Sequence, residues 1–106
     1  MVRNTNIEEY IPFGRDNAVT RFHLCNVLGM DDRMVRAHIE GARRSGVVII
    51  NLQDGSGYFR PLPDDYELVR EQYHIQKSRA LKILEGNKGC AAWLKRVQGQ
   101  LELEVD

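Results

Sequence analysis

Residues 24–61 read LCNVLGMDDRMVRAHIEGARRSGVVIINLQDGSGYFRP, and the changes of pattern inside this stretch decide the architecture. Leu24, Cys25 and Leu28 recur at helical spacing, and Gly29 supplies a break. Asp31 then stands where a cap accepts the free N–H groups of a following helix. In that helix, expected over Asp32 to Ser45, Val35, Ile39 and Ala42 line an inward face. Arg33, Arg36, Arg43 and Arg44 fall on the other faces, so a basic surface is mounted on a buried stripe. Gly46 ends the helix. Val47 to Leu52 reads as a strand, Asp54-Gly55-Ser56-Gly57 as a turn and Tyr58 to Arg60 as the returning strand, which Pro61 and Pro63 stop. The expected class is mainly α with a small β-hairpin.

The run from Asp31 to Pro61 resembles the winged helix-turn-helix domain at the N-terminus of biotin-ligase repressors and of many bacterial regulators. The matching pieces are Arg33-x-x-Arg36, Ala42-Arg43-Arg44-x-Gly46 and Gly57-Tyr58. More loosely, the whole chain is similar to small winged-helix proteins encoded in prophages of Gram-positive bacteria, which add a C-terminal helical extension. The resemblance implies a winged helix-turn-helix domain over residues 1–61 and a helical extension over 62–106. It further implies binding of double-stranded DNA, with the helix from Asp32 to Ser45 in the major groove. The chain departs from the pattern at Asp31 and Asp32, which put acid at the helix end that approaches phosphate, and at a wing tip with Asp54 but no lysine or arginine.

A chain of 106 residues makes one domain plus an appendage. Its 15 basic and 15 acidic residues cancel, so the strong field of a non-specific nucleic-acid coater is missing. Between Asp31 and Arg60, five arginines stand against Asp31, Asp32, Glu40 and Asp54, which leaves one excess positive charge. Any DNA surface must therefore be a local patch shaped by geometry. Cys25 and Cys90 are the only cysteines, and with three scattered histidines they form no metal-ligand spacing. No metal or cofactor is expected. With no secretory signal ahead of the cysteines, a reduced cytoplasmic setting is expected. Apolar runs such as Val47 to Ile50 are far short of the roughly 20 residues of a membrane span.

At the N-terminus, Thr5 and Glu8 have capping-box spacing, and Ile7, Tyr10 and Ile11 are expected to plug one end of the helical core. Pro12 and Gly14 end that turn, Ala18-Val19 is expected to add a very short third strand to the wing sheet, and Thr20 to cap the helix that follows. Phe22 and Val27 lie off the core face of that helix. They are expected to pack under the N-terminal segment and against later helices respectively; the alternative is an exposed interface. After the stiff Pro61-Leu62-Pro63, Asp64-Asp65 start a long helix. Tyr66, Val69, Tyr73, Gln76, Ala80 and Ile83 make a heptad seam, either half of a two-chain coil or a face lying back on its own domain. Gly86-Asn87-Lys88-Gly89 is expected to break that helix, so that Cys90, Leu94, Val97 and Leu101 form a second helix folded against the first as a hairpin. The tail from Leu101 to Val105 alternates like a strand.

For base reading, Arg33 and Arg36 are the leading candidates, because the guanidinium fork matches the two acceptors of guanine. Met34 and Ala37 border them for thymine methyls, and Glu40 for the amino group of cytosine. Arg43 and Arg44 lie farther along, where they would touch phosphate or cover the wing. Arg60, Gln53 and Ser56 are candidates for backbone or minor-groove contact. The plain alternative is that these arginines only solvate an outer face. His38 is expected to border the core, and Tyr58 to tuck its ring under the wing with its hydroxyl partnered. No nucleophile with a base, carboxylate pair or cofactor loop can be assembled, so an enzyme is not expected. The expected activity is that of a small transcription or replication regulator whose C-terminal helices dimerise it or recruit a partner. The rival is a winged helix used as a protein-interaction module without DNA binding, favoured by the zero net charge and the acidic pair.

Overall fold

A computed structural model of the chain describes residues 6–104. It divides into two compact units, residues 1–70 and 71–106, with the boundary inside one long helix. The first unit holds α1 (Arg21–Leu28), α2 (Asp32–Arg44) and a two-stranded antiparallel hairpin of β1 (Ile50–Asn51) and β2 (Tyr58–Phe59). Short 3-10 turns cover Ile7–Tyr10, Arg15–Asn17 and Pro63–Asp65. The long helix α3 (Tyr66–Gly86) begins in the first unit and ends in the second, which also contains α4 (Lys88–Glu104). The chain is thus mainly helical with a small hairpin, as its hydrophobic periodicity indicates.

The helix pair is set by its caps. Thr20 Oγ1 accepts from the N–H of His23 at 3.0 Å, and Asp31 Oδ1 accepts from that of Met34 at 2.8 Å. Between the helices Gly29 takes a left-handed conformation with φ 65°, and the N–H of Met30 closes back on the Cys25 carbonyl at 3.1 Å. Leu24 from α1 meets Val35 and Ile39 from α2, and Ile7, Ile11, Ile49 and Tyr58 complete the buried cluster. Burying each large aliphatic side chain contributes about 1.5–3 kcal/mol. Tyr10, in contrast, stays at the surface. The capping role expected of Thr5 lies outside the described residues, and the turn beginning at Ile7 has no side-chain cap.

Several expectations are corrected. The strand expected over Val47 to Leu52 shrinks to Ile50–Asn51, because its first residues are already committed. The N–H of Val47 donates to the Ala42 carbonyl at the end of α2, and the Ile49 carbonyl accepts from Arg43. Phe22 and Val27 do not pack away: they are 76% and 51% exposed, since Ile7, Ile11 and the α2 side chains fill the space beneath α1. The expected C-terminal hairpin is absent. A single residue, Asn87, separates α3 from α4, and none of Gly86, Asn87 and Gly89 takes the positive φ that would reverse the chain. Neither helix buries a side chain among the described residues. The stretch from Leu101 to Glu104 is helical rather than strand-like, and Val105 lies outside the described residues.

Val19 does join the sheet, as a single antiparallel bridge to Tyr58 with hydrogen bonds of 2.9 and 2.7 Å in the two directions. A second bridge was not foreseen from sequence. Phe13 runs parallel to Arg60, the N–H of Arg60 donating to the Pro12 carbonyl and that of Gly14 to the Arg60 carbonyl, both at 2.8 Å. The returning strand is therefore held on both edges.

Candidate nucleic-acid interface

Thirteen residues of α2 turn their outward face away from Val35 and Ile39. At 3.6 residues per turn, Arg33, Ala37 and Arg44 fall within roughly 40° of one another, opposite the buried pair. Gly41 sits beside them, so two arginines stand at either end of a shallow stretch with almost no side-chain bulk. Neither Arg33 nor Arg44 has an ion-pair or hydrogen-bond partner among the described residues. Met34, 48% exposed, flanks the same stretch.

The other candidate cations are engaged. Arg36 Nε pairs with Asp32 Oδ2 at 3.0 Å, one helical turn back, while Arg21 Nε donates to the other oxygen of Asp32. Arg21 also donates to the Tyr58 hydroxyl at 3.4 Å, and these two bonds, the tyrosine first, hold its guanidinium pKa above the ordinary value. Asp31 spends one oxygen on the helix cap. Both acidic residues at the start of α2 are thus occupied, which softens the local negative charge.

Arg43 donates twice to the Ile49 carbonyl, at 3.2 and 2.9 Å, and once to Glu40 Oε1 at 2.9 Å. It ties the end of α2 to the entry of β1, and in doing so takes Glu40 with it. Arg60 turns inward: its Nε donates to the Ile11 carbonyl at 2.8 Å and its guanidinium lies 4.0 Å from the centre of the Phe13 ring. Sequence spacing had no means of showing this, because Ile11 and Phe13 lie some fifty positions upstream. At the hairpin tip, Ser56 donates to Asp54 through both its hydroxyl and its N–H. These bonds, with Arg15 at 3.4 Å, lower the Asp54 pKa below its ordinary 3.8. Gln53 sits exposed at φ 63°, with its N–H donating to Asn51 Oδ1 at 2.9 Å. Arg15 supplies the positive charge near the tip that the hairpin sequence itself lacks.

Tyr58 is buried with its hydroxyl partnered, and His38 is half-buried beside Ile39. A groove of about 340 Å³ opens between Ile7 and Glu8 on one side and Ala37, His38 and Gly41 on the other. Among the described residues no group of three His, Cys, Asp or Glu side chains gathers where a metal could bind, and no helix is long and apolar enough to cross a membrane. Comparisons of the chain with family models, with curated proteins and with solved structures return no match.

Proposed function

We propose that this chain is a winged-helix DNA-binding protein that lays α2 in the major groove of a duplex, as a small cytoplasmic regulator of transcription or replication. The observation that carries this reading is the outward stripe of α2, with Arg33 and Arg44, unpartnered among the described residues, at its ends and Ala37 and Gly41 between them. Eleven residues of helix separate the two arginines by about 16 Å, against a major groove about 12 Å wide. A helix with little bulk at its centre can descend into that groove, where Arg33 reads a guanine edge from the N-terminal turns while Arg44 neutralises a phosphate. Arg36 joins Arg33 by exchanging Asp32 for a phosphate or base oxygen. Arg43 and Arg60 serve as braces that hold the hairpin against α2 and the N-terminal segment.

A protein-interaction role is the second reading, favoured by the exposure of Phe22 and Val27 on α1. Fluorescence anisotropy with a random-sequence duplex at two salt concentrations separates the two. The DNA reading expects salt-sensitive binding that weakens about tenfold or more in Arg33→Ala/Arg44→Ala, the effect of one bidentate contact and one phosphate contact. Binding that is absent at low salt, or indifferent to that pair of substitutions, sinks it and leaves the α1 surface as the working site.

A further inference from the structure

The seam from Tyr66 to Ile83 does not stop where α3 stops. Continuing the same alternation of four and three residues from Ile83 reaches Asn87, Cys90, Leu94, Val97 and Leu101, so one heptad phase runs through both helices. The interruption between them is one residue long: the N–H of Asn87 donates to the Leu84 carbonyl and closes α3, and the Asn87 carbonyl accepts from the N–H of Ala91 and opens α4, both at 3.1 Å. The three glycines of this region, Gly86, Gly89 and Gly99, all fall off the seam. Ile83, Leu94 and Leu101, 72%, 61% and 58% exposed, are left without cover.

We infer that α3 and α4 pair with a second copy of this chain as a parallel, in-register coil, with Ala80, Asn87 and Leu94 at a positions and Ile83, Cys90 and Val97 at d. This goes beyond the DNA reading and does not depend on it. Two observations select a second copy as the occupant. The polar members of the seam, Gln76 and Asn87, are amides, each both donor and acceptor, so in register each is satisfied by its own equivalent, and an asparagine at a is the device that sets two-chain register. Flanking charge does not oppose it: in this arrangement Lys77 faces Gln72 of the second copy and Arg79 faces Leu84, so no like charges meet. The area also suffices. Tyr66, Tyr73 and Trp93 would each bury on the order of 100 Å² of what they now expose, and with the aliphatic members the seam approaches the roughly 800 Å² per chain of a standard interface.

Sedimentation equilibrium of the full chain at micromolar concentration tests this, together with oxidation by oxidised glutathione of a Cys25→Ser chain whose only thiol is Cys90. The expected mass is twice the 12.2 kDa of one chain, falling to a single mass in Ile83→Asp and Leu94→Asp and unchanged in Ser78→Asp on the outer face. Cys90 is expected to link two chains, and to lose that link in Leu94→Asp. Amide protection at Val35 and Ile39 in every variant shows that the first unit remains folded. A single-chain mass throughout, a dimer indifferent to Leu94→Asp, or a dimer that leaves Cys90 unlinked each overturns the proposal.

Discussion

At the residue scale, Gly57 is the position with least freedom. It has φ 100°, and a Cβ built there would lie 2.0 Å from the Val19 carbonyl oxygen, inside the bridge that joins residue 19 to Tyr58. Gly57→Ala is expected to destabilise the first unit by about 3 kcal/mol or more, through both strain and lost bridging. Gly55→Ala, with φ 90° but open space around it, is expected to cost about 1–2 kcal/mol, and thermal melts of the two variants measure the difference. Arg43→Ala strands the Ile49 carbonyl, so a loss of about 1–3 kcal/mol is expected in urea unfolding. Asp54 offers a titration check. Its folded pKa lies below 3.8, chiefly through Ser56, so its stabilising share is present above the unfolded value and is lost as pH falls through the folded one. In Ser56→Ala, NMR titration of the Asp54 carboxyl is expected to show the midpoint moving back up towards 3.8.

At the element scale, α2 depends on its first turn. Asp31 satisfies an N–H that the helix cannot, and Asp31→Ala is expected to lower stability by about 1 kcal/mol, readable as a lower melting temperature. Asp31→Asn keeps the cap and removes a charge, so it separates capping from any repulsion of a phosphate backbone. In α4 the limiting residues are glycines. Gly89 and Gly99 have ordinary helical φ and nothing within 4 Å of a built Cβ, so alanine at either position is expected to raise helix stability by about 1 kcal/mol in circular-dichroism melts. The same substitution at Gly57 has the opposite sign, which shows that surroundings rather than residue type set the outcome.

For the whole molecule, zero net charge and the engagement of Arg36, Arg43 and Arg60 leave few cations to meet a duplex. If α2 binds DNA as proposed, the logarithm of affinity is expected to fall with the logarithm of salt at a slope of only about 1–2 per chain, as for one or two neutralised phosphates. A slope several times steeper in the anisotropy titration points to a larger surface than the α2 stripe. If the chain binds duplex DNA as a dimer, its site is expected to contain two half-sites about one helical turn, or a multiple, apart.

What the sequence by itself determined is whatever depends on neighbours in the chain. Thr20 and Asp31 as caps, Gly29 as the break, the inward line of Val35 and Ile39, and the glycine-bearing tip before Tyr58 were all legible, because a cap or a turn is decided within a few residues. Tertiary structure decided which arginines stay available. Among the described residues Arg33 and Arg44 face outward with no partner, whereas Arg60 is drawn to Ile11 and Phe13 and Arg43 to Ile49, contacts that no periodicity encodes. It likewise brought Pro12 to Gly14 alongside β2 and shortened β1, since backbone groups pair with whichever donor or acceptor the fold delivers first. The glycines at 86 and 89 read as a reversal, yet they remain helical. A glycine permits a turn, and only a buried partner for the returning helix makes one.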